Sequence, residues 1–353
     1  MSTHSLSDEK YMKRCLQIAL QGLGNVSPNP MVGCVIVHND IIIGEGYHIK
    51  YSEPHAEVNA INSVKDKKLL ETSTLYVNLE PCSHYGKTPP CADLIIKHKI
   101  PGVVIGAVDC NEKVCGRGID KLIKAGCQVQ TGLLEKESRY LNRRFFTFHE
   151  KQRPYVVLKW AETQDGFMDR IREPNSEKKP NWISSERTRV IVHKWRAEED
   201  AIIVGTNTAL SDNPALTTRD WEGKNPVRVV LDRNLALPSD MKLFNNEART
   251  LVFNTLKTDS LNNIKYFKVD FDNKLIDNIL HVLCKEKIQS LIVEGGAFLL
   301  SSFIKSGLWD EAIVIKGPQF YKVGLPAPKI SKVAVKSVMV AQENYLYFNN
   351  TQG

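Results

Sequence analysis

His55-Ala56-Glu57, Pro81-Cys82 and Cys91 constrain this chain more than any other feature. One imidazole and two thiolates form a three-ligand zinc set that keeps a fourth position open for water. Bound zinc lowers the pKa of that water, so hydroxide is available near neutral pH. The flanking patterns say how the segments are presented. His55 follows Glu53-Pro54 and opens the apolar-periodic run His55-Ala56-Glu57-Val58-Asn59-Ala60-Ile61, a helix start. Thr74-Leu75-Tyr76-Val77-Asn78-Leu79 reads as a strand with Glu80-Pro81-Cys82 at its end. Cys91-Ala92-Asp93-Leu94-Ile95-Ile96 reads as a second helix start.

Glu57 is then a spare carboxylate. In base deaminases such a group is not a ligand but moves protons between water, ring nitrogen and departing ammonia. A lone His-x-Glu or a lone cysteine pair carries little information; the combination in this context carries more. The general deaminase signature spaces its cysteines C-x-x-C, whereas here eight residues intervene, Ser83 to Pro90. The plain alternative, a buried histidine with two inert core thiols, fits poorly, because that insert is polar and turn-rich.

The insert carries a more specific likeness. Pro81-Cys82-Ser83-His84-Tyr85-Gly86-Lys87-Thr88-Pro89-Pro90-Cys91 resembles the hallmark of the riboflavin-biosynthesis pyrimidine deaminases. Asn29-Pro30-Met31-Val32-Gly33, Gly44-Glu45-Gly46-Tyr47-His48, Gly116-Arg117-Gly118 and Ala125-Gly126 agree with it. The second half resembles the matching reductase through Leu158-Lys159-Trp160-Ala161, Asp165-Gly166, Trp182-Ile183-Ser184, Arg196-Ala197, Asp212 to Thr217 with Arg219, and Glu294-Gly295-Gly296. The likeness, from about Ser7 to about Pro318, is to the bifunctional deaminase–reductase family. It implies hydrolytic deamination of a diaminohydroxyphosphoribosylaminopyrimidine. NADPH-dependent reduction of the ribosyl chain to a ribityl chain follows.

A chain of 353 residues suggests more than one core, and two domains are expected, 1–150 and 151–353. In the first half Ser7 caps a helix carrying Met12, Leu16, Ala19 and Leu20. Met31–His38 and Ile41–Glu45 form a hairpin about Asn39-Asp40, and strand and helix signals alternate to Lys124. One helix within Lys136–Arg153 leads to a linker at His149–Pro154. Alternation of this kind gives a layered α/β domain. After Pro154 strands are expected at Tyr155–Ala161, Ala201–Val204, Val227–Leu231, Thr250–Phe253, Leu291–Val293 and Glu311–Ile315. Helices are expected at Glu186–Arg196, Lys274–Lys285 and Ala297–Lys305, and a closing hairpin at Val338–Ala341 and Tyr345–Phe348. Asp169–Pro180 reads as a polar loop.

The second domain shows no G-x-G-x-x-G after a strand. What stands there is Leu291-Ile292-Val293-Glu294-Gly295-Gly296 ahead of a helix, able to hold a phosphate on backbone N–H groups. The resemblance implies a cytidine-deaminase-like three-layer α/β/α fold followed by a dihydrofolate-reductase-like α/β fold, with one catalytic Zn2+ and NADPH. It assigns the metal to His55, Cys82 and Cys91, proton transfer to Glu57, and deaminase substrate contacts to Asn29, His48 and Lys87. In the reductase it implies Trp182, Thr208, Asp212 and the segment Gly296, Ala297, Phe298, Leu299, Leu300, Ser301 and Ser302 along NADPH. Arg196, Leu216, Arg219 and Glu294 then face the substrate, with the arginines on its phosphate through bidentate pairing. The chain departs from the family pattern at Glu162, Thr163, Pro180 and the Asp169–Pro180 loop.

No run approaches the roughly 20 apolar residues of a membrane helix, and the N-terminus lacks a basic region followed by an apolar core. Eight cysteines in so long a chain are too sparse for a disulfide scaffold and suit the cytoplasm. A net charge of +7 is modest and fits a solvated basic surface more readily than a site for a phosphorylated substrate and cofactor. No basic tract or basic–aromatic interleaving suggests a nucleic-acid groove, so the partner implied by the resemblance is a small phosphorylated pyrimidine. A homo-oligomer, dimer or tetramer, is expected. A nucleic-acid base deaminase would need a basic or stacking surface. A silent binding module would lack Glu57 or a ligand.

Overall fold

The computed structural model describes residues 6–85, 89–110, 115–171 and 181–350. The chain divides into two compact units, 1–151 and 152–353.

The first unit runs α1 (Leu6–Ala19), β1 (Gly33–His38), β2 (Ile41–Tyr47), α2 (Ala56–Ser63), β3 (Thr74–Leu79), α3 (Cys91–Lys97), β4 (Gly102–Ala107), α4 (Arg117–Lys124), β5 (Gln128–Thr131), α5 (Glu135–Leu141) and α6 (Arg143–Lys151). Among the described residues it builds a five-stranded sheet in the order β2-β1-β3-β4-β5. β1 pairs antiparallel with β2 and β3, whereas β3–β4 and β4–β5 are parallel. The hairpin turns at Asn39 and Asp40, both with positive φ, the twist that a two-residue hairpin prefers. β1, β3 and β4 are buried along almost their whole length, as expected for strands covered on both faces. Ile36, Leu75, Val77, Val103 and Ile105 pack there with Ala60 and Ile61 of α2 and Ile95 of α3. α2 lies unusually close to the sheet, for a Cβ on Gly46 would stand 2.4 Å from the backbone nitrogen of Ala60. That close approach sets the depth of the α2 N-terminus, and with it His55 and Glu57.

The second unit runs β6 (Tyr155–Glu162), β7 (Phe167–Asp169), α7 (Glu186–Glu198), β8 (Ala201–Gly205), α8 (Thr206–Asp212), β9 (Val227–Leu231), β10 (Thr250–Asn254), β11 (Asp259–Leu261), β12 (Ile264–Lys268), α9 (Leu275–Lys285), β13 (Ser290–Val293), α10 (Ala297–Ser306), β14 (Glu311–Lys316), β15 (Leu325–Pro326), β16 (Lys336–Val340) and β17 (Glu343–Asn349). Among the described residues ten of its strands form one sheet, ordered β11-β12-β10-β9-β8-β13-β6-β14-β17-β16. The centre is parallel, and the β16–β17 hairpin adds antiparallel strands beside β14. Val156, Leu158, Ile203, Leu291 and Val293 fill one face against Ile279 and Leu283 of α9 and Leu300 and Phe303 of α10. Ile202, Val204, Val230, Val252 and Ile292 fill the other.

The expected strands and helices are present with shifts of a few residues at their ends, and several elements were not anticipated. Gln128–Thr131 is a mostly exposed edge strand, and Asp259–Leu261 is exposed throughout, so neither carries a core-facing alternation. α8 contains two threonines, an asparagine and a serine, poor helix formers that read as loop. The helix expected within Lys136–Arg153 is two helices, and the second continues through Lys151 instead of yielding to a linker at His149. The reason is local: Phe145 and Phe146 are buried against Leu79 and Ala107. Asp169 begins no loop but ends β7, which pairs with β15. Residues 172–180, including Pro180, lie outside the described residues.

Candidate active sites

His55 is the N-cap of α2, in extended conformation, and its carbonyl accepts from Asn59 N to close the first turn. Cys82 follows the end of β3, and Cys91 is the first residue of α3. The three side chains meet. His55 Nδ1 lies 3.6 Å from Cys82 Sγ and 3.4 Å from Cys91 Sγ, and the ligand atoms are all within 4.8 Å of one another. Tetrahedral zinc with bonds of about 2.0 Å to nitrogen and 2.3 Å to sulfur separates those ligands by roughly 3.6 Å. The donor set therefore fits zinc in number, chemistry and spacing.

The electrostatics fit as well. A hydrogen bond from Cys91, joined by one from His55, outweighs burial and pulls the Cys82 thiol below its usual range. The Cys82 thiolate in turn pushes His55 up. Cys82 and His55 thus form a thiolate–imidazolium pair, and the hydrogen bond to Cys82 together with burial pushes the Cys91 thiol up. Cys91 N donates to Cys82 Sγ at 3.3 Å, and Ala92 N to the Cys82 carbonyl at 3.1 Å, so the first turn of α3 grips Cys82 twice. Glu57 lies in the first turn of α2 and is 3% exposed. Burial pushes its carboxyl up and the Cys82 thiolate adds to the rise, so it holds a proton more readily than an ordinary glutamate.

Two expected substrate residues join this centre. His48 Nδ1 is 3.1 Å from the Pro54 carbonyl and Nε2 is 3.1 Å from Asn29 Nδ2. A carbonyl only accepts, so Nδ1 carries the proton and Nε2 accepts from the Asn29 amide. The His48 ring meets His55 edge-on at 5.4 Å. Lys87 lies outside the described residues.

In the second unit a cavity of about 480 Å³ collects Trp182, Thr208 and Asp212 with Arg196, Leu216, Arg219 and Glu294. These are residues that the chain supplies from five separate segments. Arg196 Nε donates to Glu294 Oε1 at 2.9 Å, Nη2 to Oε2 at 2.6 Å, and Nη1 to the Thr217 carbonyl at 3.3 Å. With all three nitrogens engaged, Arg196 is a counter-ion inside the pocket, and of the two expected phosphate arginines Arg219 is the exposed one. Lys159 Nζ is 3.7 Å from Glu294 Oε2. Burial opposes ionisation of Glu294, yet Arg196 and Lys159 outweigh it and hold its carboxyl down at about 2. Burial lowers Lys159 against the pull of Glu294.

Sequence reasoning had passed over Lys159 as part of a motif. A single lysine inside the apolar run of β6 was the available signal. His193 was missed as well, one helical turn before Arg196. It accepts from Asp220 N at 3.2 Å next to Arg219, and burial, with both arginines nearby, depresses it to about 4.

The α10 segment divides. Leu299 and Leu300 are buried in the core, and Phe298 is 87% exposed, so those leucine side chains serve packing. Any role of Leu299 along a cofactor falls to its backbone N–H, whereas that of Leu300 is given to the Gly296 carbonyl. Gly296 has φ +70°, and a Cβ there would stand 3.2 Å from Thr208 Oγ1, which places the N-terminus of α10 against α8. Glu162 is buried, accepting from Trp160 Nε1 at 2.9 Å and facing Lys316 at 3.5 Å; it is absent from the pocket lining. Asp165 ties its turn to the loop after β14, accepting from Thr163 Oγ1 at 2.6 Å and Lys322 N at 2.7 Å.

Comparison with known proteins agrees with this division. Residues 5–107 match the cytidine and deoxycytidylate deaminase zinc-binding region, and residues 154–322 match the RibD C-terminal domain. The riboflavin biosynthesis protein RibD of Aquifex aeolicus is 39% identical over 336 residues, 94% of this chain and 92% of that protein. RibD of Bacillus amyloliquefaciens is 42% identical over 313 residues, 86% of this chain and 82% of that protein. A crystal structure of a Thermotoga maritima diaminohydroxyphosphoribosylaminopyrimidine deaminase/5-amino-6-(5-phosphoribosylamino)uracil reductase superposes with a TM-score of 0.86 at 36% identity, covering 97% of this chain and 98% of that one. Acinetobacter baumannii RibD superposes with a TM-score of 0.87 at 31% identity, covering 98% and 99%. With a zinc-binding deaminase region whose ligand spacing fits the metal, and a second unit built as the reductase domain, the chain belongs to the RibD family of bifunctional riboflavin-biosynthesis deaminase–reductases.

Proposed function

We propose that this chain deaminates 2,5-diamino-6-(5-phosphoribosylamino)pyrimidin-4(3H)-one in its first unit. Its second unit then reduces the product's ribosyl chain with NADPH, giving 5-amino-6-(5-phosphoribitylamino)uracil. The observation that carries the reading is the convergence of His55, Cys82 and Cys91 beside the buried Glu57. His55, Cys82 and Cys91 would hold zinc, which when bound lowers the pKa of its water and supplies the nucleophile. Glu57 takes up a proton in the buried pocket and passes it to the departing amino nitrogen; its raised proton affinity suits both halves of that task. Asn29, its amide N–H groups turned toward His48, presents its carbonyl oxygen to a donor on the pyrimidine or ribose. Lys87 supplies a cation near the substrate.

In the second unit NADPH, when bound, supplies the hydride. Trp182, Thr208, Asp212 and the segment from Gly296 through Ser302 line its path, with the backbone donors being those of the first turn, Gly296 to Leu299. Arg219 binds the substrate phosphate. Glu294 keeps Lys159 and Arg196 charged and in place, and Leu216 packs against the substrate. Lys159, lowered by burial, is the group placed to give a hydrogen bond or a proton to the ribosyl chain. All eight cysteines are free thiols, which suits the cytoplasm. Among the described residues no helix is long and apolar enough to cross a membrane. The deaminase and reductase domains are taken as 1–150 and 151–353, each with its own core, so a fragment ending near Glu150 should fold and deaminate without NADPH.

The test is to supply the purified protein with the diaminopyrimidine ribotide and NADPH and follow ammonia release and NADPH oxidation separately. Both should proceed, ammonia first. Ammonia release that persists at wild-type zinc content in a Cys82→Ser, Cys91→Ser double variant would refute the metal assignment.

A further inference from the structure

Glu80 stands two residues before Cys82, and its side chain is 4% exposed. A buried carboxylate is tolerated only when its oxygens are satisfied. Four backbone N–H groups do this. Asp109 N and Gly116 N donate to Oε2 at 3.3 and 3.0 Å, and Gly118 N and Ile119 N donate to Oε1 at 2.9 and 3.3 Å. Both ends of the segment from 109 to 119 are therefore clamped on one carboxylate, which also meets the positive end of α4. Gly118 completes the contact, because a Cβ there would stand 2.1 Å from the Pro81 carbonyl oxygen and 3.1 Å from Glu80 Oε1. The first turn of α4 thus lies directly on the Pro81–Cys82 peptide, and the first turn of α3 also holds Cys82. The Gly116-Arg117-Gly118 motif is the receptor for this carboxylate.

We propose that Glu80 is a positioning residue for the metal centre: by locking α4 onto Pro81 it fixes Cys82 Sγ at its 3.6 Å distance from His55 Nδ1. The inference rests on the reading of His55, Cys82 and Cys91 as ligands. Residues that orient metal ligands typically change affinity by about 10–100-fold when altered.

Glutamine at this position keeps the shape but turns an NH2 group toward two of the four donors, so half of the clamp is lost. In Glu80→Gln, zinc affinity measured by competition with a chromophoric chelator should fall about 10–100-fold. In the cobalt-substituted protein the thiolate-to-cobalt charge-transfer absorption should shift or weaken. Gly118→Ala retains the carboxylate but drives a methyl group into the Pro81 carbonyl, and should change both readouts in the same direction. Reductase activity on pre-deaminated substrate, carried by the second unit, should be unchanged in both variants. Wild-type zinc affinity and an unaltered cobalt spectrum in Glu80→Gln would overturn the proposal. So would failure of both variants to fold to the wild-type circular dichroism spectrum, since Glu80 would then serve the fold at large. If instead Cys82→Ser left wild-type zinc content untouched, the ligand assignment itself would fail.

Discussion

Glu57 and Glu294 are both buried acids, and the two units treat them in opposite ways. Glu57 faces the thiolate of Cys82, and its carboxyl is pushed up by burial and by that charge. Glu294 is gripped by the two nitrogens of Arg196 and approached by Lys159, and is held down at about 2. In the proposed reaction the first gains and loses a proton. The second is a fixed charge that organises two cations in the cavity of the second unit. Burial alone therefore does not mark a catalytic acid; the sign of the neighbouring charge decides whether the proton is mobile.

The contrast can be broken by replacing each acid with its amide. Glu57→Gln should lower deamination by at least about 10²–10⁴-fold, with zinc content and reductase activity retained, because only proton transfer is removed. Metal analysis beside ammonia release checks this; loss of zinc would make Glu57 a ligand. Its stability should change little, since a neutral amide replaces an acid that burial already disfavours as an anion.

Glu294→Gln should behave in the reverse sense. It leaves Arg196 and Lys159 without their anion, and breaking a buried pair from one side costs about 3–5 kcal/mol. Chemical denaturation of the second unit reads that loss, and an unchanged midpoint would mean that the ion cluster is not a supporting element.

Arg219→Ala sharpens the division within the cavity. Loss of one charge-assisted contact costs about 1.5–3 kcal/mol, roughly ten- to a hundredfold in affinity. The Michaelis constant for the phosphorylated pyrimidine should rise by that factor and that for NADPH should not. An effect confined to NADPH would reverse the two sides of the pocket.

The smallest effect concerns His193. Its folded pKa is depressed to about 4 from an ordinary 6.5, so between those values the unfolded chain binds more protons than the folded one. Stability should accordingly fall as pH drops from about 6.5 to 4, by at most about 1.4 kcal/mol per pH unit. His193→Asn keeps an acceptor for Asp220 N but does not titrate, and should flatten that slope in denaturation curves. A slope equal to wild type would assign the acid sensitivity elsewhere.

The two sites also differ in how far they could be read beforehand. Each candidate zinc ligand sits at an element boundary with its own local signal: His55 after Glu53-Pro54, Cys82 after a strand, Cys91 after Pro89-Pro90. The reductase cavity draws Lys159 from a strand, Arg196 from a helix and Arg219 from a loop, and no short pattern joins them. The same residue type also changes meaning with its surroundings. Arg196 was expected on a phosphate and is committed to Glu294, while Leu299 and Leu300 were expected along a cofactor and turn their side chains into the core. Edge elements such as β5 and β11 were invisible because an exposed strand needs no apolar alternation.

By itself the sequence determined the ligand types, the spare carboxylate, the alternation of strands and helices, and the two-part organisation, because each is a matter of residue identity and short-range periodicity. Only the tertiary structure decided which charges meet. The Arg196–Glu294–Lys159 cluster, the neutral state of His193, the proton on His48 Nδ1 and the four donors on Glu80 all depend on groups distant in the chain. Their energies fall steeply with separation and rise steeply with burial, and neither quantity is written in the order of the residues.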